Sequence, residues 1–429
     1  LGCEPKSIKK AYERAERFQA KFYQSLLNRG KQALDRIGPN EKVMVIVGRP
    51  YNSCDSGVNL EIPKKLGDLG VLAIPMDFLP VESVPATEEI KEMYWRYGQR
   101  ILAAGKIIKE DPRLYAVYIT NFGCGPDSFI NHFFRDLSKG KPYLQLEIDE
   151  HSADAGAITR CEAFLDSLKN VKAERTIAQK REKAKTDRTK KIYIPYMCDH
   201  SFAVAAAFKA CGVEADVFPE SNEETLYWGR KLTSGKECYP CIVTTGDMVK
   251  LLKDPHFDHQ RAAFFMPSGD GPCRFGQYHR FHRLVLDDLG FQHVPIYSPN
   301  QDETLYSELG IMGSQFTRLG WQGIVAVDLL MKKLLETRPY EKEKGQTEQV
   351  YQDSLKRICE TIRQKGDLEE TLQKGLEDLN RIGVNGPGTK PLIGIVGEIF
   401  VRLNRFSNED VIRKIEQFGG EAWIAPLTE

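Results

Sequence analysis

Three times along the chain an apolar run ends in a polar loop, continues as a helix, passes a Gly-containing turn and reaches a second apolar run. VMVIVG (Val43 to Gly48) leads to VLAIPMD (Val71 to Asp77), KIYIPYM (Lys191 to Met197) leads to VEADVFP (Val213 to Pro219), and LIGIVGEIF (Leu392 to Phe400) leads to EAWIAP (Glu421 to Pro426). Strand, crossover helix and strand in this order make βαβ modules, which imply parallel sheets. The first two modules also continue alike. YAVYITNFGCGPDSF (Tyr115 to Phe129) and AAFFMPSGDGPCRF (Ala262 to Phe275) are each a strand, a Gly-Pro loop and a helix, followed by the short strands PYLQLEID (Pro142 to Asp149) and VPIYSP (Val294 to Pro299). The sequence therefore predicts an α/β fold: two pseudo-repeated Rossmann-like parallel-sheet domains, a helical bridge and the start of a third α/β unit.

Boundaries follow from the segments between these modules. Residues 1–40 form an N-terminal helix, with Ile8, Ala11, Ala15, Phe18, Phe22 and Leu26 stepping by three and four. The first domain takes 41–170, and the second takes 192–327. Between them, 171–191 carries nine Lys/Arg against three Asp/Glu without apolar periodicity, the pattern of a solvated linker. Residues 328–385 read as a charged helical bridge and 386–429 as the truncated third unit. With no initiator Met and an end just after an apparent strand, the chain reads as a piece of a longer polypeptide.

Lys+Arg and Asp+Glu both number 60, so there is no electrostatic footprint for nucleic acid or an acidic membrane. No apolar run approaches the roughly 18 residues of a membrane span, and no signal layout opens the chain. Small molecules and proteins are the expected partners, and the cytoplasm the expected location. There, ten cysteines point to a metal or redox site rather than a disulfide framework.

In open parallel sheets, ligands bind at the carboxyl ends of the strands, and six cysteines fall there. Cys54 and Cys198 follow the first strands of the two domains, Cys124 and Cys273 lie on the matching Gly-Pro loops, and Cys238 and Cys241 form ECYPC before a helix. A helix N-terminus favours the thiolate that ligates metal. Gly123, Gly125, Gly269 and Gly271 let the backbone come close and offer N–H groups to cluster sulfides. Taken alone, CYPC is compatible with an iron–sulfur cluster, a zinc half-site or a dithiol. The dithiol lacks thioredoxin-like surroundings, and zinc lacks a second CxxC. Cys161, Cys211 and Cys359 fall on apolar helix faces and are expected in the core, while Cys3 is left unassigned. Asp127, Asp199 and Asp270 are expected to cap helices rather than act as catalysts, and His279 and His282, spaced to share one helix face, to lie on a solvated helix rather than donate to metal ligands. No phosphate-binding GxxxxGK[ST] or suitably placed GxGxxG is present, so any ATPase lies elsewhere.

GRPYNSCDSGVNLEIPKKL, NFGCGPDSF, IPYMCDH, GKECYPCIVTTGD, PSGDGPCRFGQYHRFHR and GIVGEIFVRLNRF together resemble the acyl-CoA dehydratase activase-related proteins, a CoA-activase-like family with a DUF2229 region. Such proteins are similar to 2-hydroxyacyl-CoA dehydratase subunits, whose cubane keeps three cysteines and one open iron, and to double-cubane cluster proteins, which use six. The resemblance implies a 4Fe-4S cluster or an 8Fe-9S double cubane on Cys124, Cys238, Cys241 and Cys273, with Cys54 and Cys198 as weaker ligands. It also implies an ATP-hydrolysing activase partner and an acyl-CoA or other small substrate, in low-potential electron transfer. The alternatives are a non-catalytic cluster scaffold or relay for a separate dehydratase, and a structural zinc protein.

Overall fold

A computed structural model of the chain describes residues 4–85, 88–123, 125–169, 187–299, 309, 311 and 313–428. It divides into two compact units, Leu1–Arg181 and Glu182–Glu429. Cys3, Cys124 and most of the basic stretch lie outside the described residues.

The N-terminal unit opens with α1 (Pro5–Leu34). Its predicted apolar stripe lies at the surface, with Ile8, Phe18 and Phe22 all more than half exposed. A four-stranded parallel sheet follows, in the order β2 (Leu72–Pro75), β1 (Val43–Val47), β3 (Leu114–Thr120), β4 (Leu144–Glu147). Every residue of β1 and β3 is buried, as expected of central strands covered on both faces. Helices α2 (Ile62–Asp68), α3 (Arg96–Glu110), α4 (Asp127–Leu137) and α5 (Asp154–Leu168) provide that cover. Cys161 on α5 is fully buried among Met44, Tyr115, Leu146 and Phe164, as its apolar spacing predicts.

The C-terminal unit repeats the topology. Its parallel sheet runs β6 (Ala215–Val217), β5 (Lys191–Ile194), β7 (Ala262–Phe265), β8 (Ile296–Tyr297), the same 2-1-3-4 order. Helices α6 (His200–Ala210), α7 (Glu223–Leu232), α8 (Tyr239–Lys253) and α9 (Tyr278–Asp288) connect these strands. Three helices then follow: α10 (Gly313–Thr337), α11 (Gln346–Gln364) and α12 (Leu368–Asn380). α10 runs unbroken through position 328, where the charge pattern suggests a boundary. The reason is that Leu319, Ala326, Val327, Leu330 and Leu334 form one continuous buried stripe, packed with Phe208 of α6 and Tyr351, Leu355 and Ile358 of α11. The charges of this region mark only the outer faces of helices whose inner faces belong to the sheet's core. Cys211 and Cys359 pack against that core as expected.

The third βαβ module belongs to the same compact unit. β9 (Leu392–Ile395) and β10 (Glu421–Ile424) pair in parallel, with α13 (Ile399–Leu403) and α14 (Val411–Gln417) between them. Arg338 anchors it, contacting Glu416 on α14 at 2.8 Å and Glu348 on α11 at 2.8 Å, with all three side chains largely buried.

Candidate functional site

The site is built from the first turn of α8. Gly246 of α8 and Gly229 of α7 lie where the two helices touch backbone to backbone. A Cβ on Gly246 would stand 1.9 Å from Thr225 O, and one on Gly229 would stand 2.2 Å from Ile242 O. Only glycine permits this approach. A second device lies at the same contact: buried Asp247 accepts hydrogen bonds from Ser221 Oγ and Thr225 Oγ1, both at 2.7 Å. Asn222 and Thr225 cap α7 reciprocally. The register of α8, and with it the position of CYPC, is thereby fixed.

Cys238 is the N-cap of α8, with extended φ/ψ of −60° and 140°. Its carbonyl accepts from Cys241 N at 2.9 Å. Glu237 holds the preceding loop, its carboxylate accepting from Ser234 Oγ at 2.9 Å and Lys236 N at 3.0 Å. The second loop is tied to the first by Arg274, which donates to Lys236 O at 3.2 Å. Cys273 caps the 3-10 turn Arg274–Gln277, which runs directly into α9.

Tyr278, the first residue of α9, is buried, with Phe275 edge-on at 5.5 Å. Burial first, then interactions with Cys238, Cys241 and Cys273, raise its hydroxyl far above the ordinary tyrosine range. Burial also pushes the Cys241 thiol well up, reinforced by the charges of Glu237 and Cys238 and opposed by Thr245 and Arg274. The expected helix-terminus preference for thiolate is therefore overridden at this position, because complete desolvation costs more than a terminal dipole returns. A bound cation would reverse that balance.

α9 is not the solvated helix its sequence suggests. His282 is fully buried, with Nε2 3.2 Å from Thr244 Oγ1 of α8, and burial pushes it down to about 3, so it stays neutral. The misleading signal is the run of arginines. Arg283, for example, turns to pair with Asp287 at 2.7 Å and to cover the Phe291 and Val294 carbonyls.

Cys198 is buried with Leu335, Leu403 and Ile424 beneath the third module. In the N-terminal unit Cys54 is exposed and terminates the short helical turn Pro50–Ser53, at its carbonyl end rather than its N–H end. Gly123 and Gly125 have φ of 63° and 58°, and Gly271 has 111°, conformations that favour glycine. Gly269 and Gly271 face open space on the Cys273 loop. Asp199 holds the N-cap position of α6 and Asp127 the first position of α4, but neither side chain accepts a capping hydrogen bond. Asp127 accepts from Thr120 Oγ1 at 2.8 Å and pairs with Arg49 at 3.2 Å. Asp199 accepts from Tyr196 at 2.8 Å and Tyr351 at 2.7 Å. Each is buried, and a buried carboxylate needs hydrogen-bonded or charged partners, which these groups supply. Asp270 is exposed. Among the described residues no three His, Cys, Asp or Glu side chains are gathered tightly enough to hold a single metal ion.

Comparison with known families places one part of the chain. Residues 1–79 match the CoA enzyme activase uncharacterised domain, DUF2229. The DUF2229 match covers α1, β1, the Cys54 turn and β2, and it ends before the loops that carry Cys238, Cys241 and Cys273. No curated protein matches the chain. No described helix is long and apolar enough to cross a membrane.

Proposed function

We propose that this protein is the iron–sulfur component of an ATP-driven, low-potential electron-transfer or reductase system of the 2-hydroxyacyl-CoA dehydratase type. What supports the reading is that Cys238 and Cys241 open α8 while Cys273 lies on the loop after the parallel strand β7, and Arg274 ties the two loops together through the Lys236 carbonyl at 3.2 Å. Structural zinc usually takes closely spaced cysteine pairs, and the chain has a single CxxC. A cubane, whose corner irons are separated by sulfide, accepts a wider triangle, and three thiolates leave one iron open. Cys54, Cys124 and Cys198 are the further ligands that a double cubane would require.

When bound, such a cluster supplies one-electron reduction at a potential set by its surroundings. The chain's own part is to hold and tune it. Arg274 adds positive charge near Cys241, and neutral His282 backs the first turn of α8 without adding charge. An ATP-hydrolysing activase is the partner this reading requires, with an acyl-CoA or other small molecule as electron acceptor.

The test is elemental analysis of anaerobically purified protein together with electron paramagnetic resonance after reduction. About four irons with matching sulfide and a reduced-cluster signal are expected for one cubane, and about eight for a double cubane. Stoichiometric zinc without iron would overturn the proposal.

A further inference from the structure

The third βαβ module repeats the first position by position. Gly48, just beyond β1, and Gly397, just beyond β9, have φ of 159° and 153°. Leu60 and Glu61 before α2 have φ of 52° and 51°, and Glu409 and Asp410 before α14 have 55° and 53°. Both helices are seven residues long, and each is followed by a glycine turn, Gly70 at 78° and Gly419 at 86°. The strands then pair in the same register, Val43 with Leu72 and Leu392 with Glu421. All of these correspondences share one spacing with no insertion, so β9 stands for β1 and β10 for β2.

What surrounds the two strand pairs differs. β3 lies along the second edge of β1, where Val43 donates its N–H to Arg113 O at 2.8 Å, and every β1 residue is buried. Met44 and Ile46 share a buried cluster with Ile62 and Leu66 of α2, while α3 packs against β1 and β3, which leaves it the alternate face of Val43, Val45 and Val47. The counterparts of these valines are Leu392, Gly394 and Val396, and the counterpart of Ile74 is Trp423. Leu392 is 64% exposed, Val396 87% and Trp423 40%. No described strand pairs with the second edge of β9. Leu392 to Val396 contains neither a charged residue nor a proline, the usual guards of an open edge.

We infer that this bare face and edge are the seat of a helix–strand segment that follows β10 in the same polypeptide. Its helix lays an apolar face over Leu392, Val396 and Trp423, and its strand, apolar like LYAVYIT, pairs in parallel with β9 to give the 2-1-3-4 order a third time. In the first domain the chain returns from β2 through α3 to β3, and a right-handed crossover in that direction takes the face opposite α2. The third module is prepared for the same path. Its α2-like face is already covered by α14, since a Cβ on Gly420 would stand 2.8 Å from Ile415 of α14 and 3.0 Å from Ile393; the face left bare is the one the crossover needs. A second copy joined edge to edge about a two-fold axis would instead set β9 antiparallel to itself, against the parallel order of the three sheets.

The experiment is residue-resolved amide hydrogen exchange on the chain through Glu429 and on the native polypeptide with everything encoded after it. In the shorter form the N–H groups of Leu392, Gly394 and Val396 should exchange rapidly while those of Val43, Val45 and Val47 stay protected. In the longer form the same three should slow by about 100-fold or more, as amides do on joining a cooperatively folded sheet. Leu392→Lys should leave the melting temperature of the shorter form unchanged, because the side chain is exposed there, and should cancel the protection in the longer form. Equal exchange in the two forms overturns the inference, as does a coding sequence that closes at Glu429. A dimeric shorter form with β9 already protected, and with that protection lost in Leu392→Lys, would show that a second copy fills the edge and overturns it too.

Discussion

Cys198 Sγ lies 3.0 Å from His200 Nδ1, two residues away at the start of α6. The other ring nitrogen of His200, Nε2, is 2.8 Å from Asp328 on α10. Asp328 also accepts from the backbone N–H groups of Leu427 and Thr428, at 2.9 and 3.1 Å. A chain of polar contacts thus links the loop after β5, through α10, to the segment following β10. Burial pushes His200 down, but hydrogen bonds and charge from Asp328 and Cys198 outweigh it and raise the imidazole to about 10.

That shift has a pH signature. A histidine raised in the folded state contributes stability that is complete below its unfolded value near 6.5 and is lost as pH climbs towards 10. Denaturant midpoints should therefore fall between pH 6.5 and 10, and His200→Gln should flatten the decline. Asp328 is held below the usual carboxylate range despite its burial, by His200, Leu427 N and Thr428, so its own contribution disappears only on acidification. An unchanged alkaline slope in His200→Gln would show that the pair is not charged in the folded protein.

In the N-terminal unit, Asp127 depends on Arg49. Its side chain is 1% exposed, and Arg49 Nε sits 3.2 Å from Oδ1. Arg49→Met should cost about 3 kcal/mol, because it strands a buried carboxylate. Adding Asp127→Asn should recover most of that loss, since the stranded charge is then gone. A double-mutant cycle by urea unfolding measures the coupling, and independent, additive costs would contradict it.

The α7–α8 contact makes a third expectation. Gly246→Ala should destabilise by about 3 kcal/mol or more, since backbone rather than a movable side chain blocks the new methyl. It should also displace CYPC and lower iron binding. Gly67→Ala on α2 is the control, because nothing lies within 4 Å of its Cβ. There the reduced freedom of the unfolded chain should stabilise by about 0.5 to 1 kcal/mol.

Much of the framework was legible because central parallel strands are covered on both faces and leave uninterrupted apolar runs. VMVIV and LYAVYIT are β1 and β3, every residue buried. The CYPC motif was legible as a loop leading into a helix, although α8 begins at Tyr239 and takes Cys241 into its first turn. What escaped was whatever depends on a partner far away in sequence. His282 looked like part of a solvated helix until the fold buried it against Thr244 of α8. Asp199 holds the N-cap position its sequence suggests, but Tyr351, distant in sequence, takes its carboxylate. Local spacing reports on turns and faces, whereas burial of a charged group is decided by what packs over it.

Iron retention across single cysteine variants, reconstituted under strict anaerobiosis, tests the central claim most directly. Cys238→Ala, Cys241→Ala and Cys273→Ala should each abolish or sharply reduce bound iron. Cys161→Ala, buried in the core of the N-terminal unit, should keep full iron and lose only about 1 kcal/mol of stability, as a small core truncation does. Full iron in the Cys238, Cys241 and Cys273 variants, or its loss only in Cys161→Ala, would contradict the account.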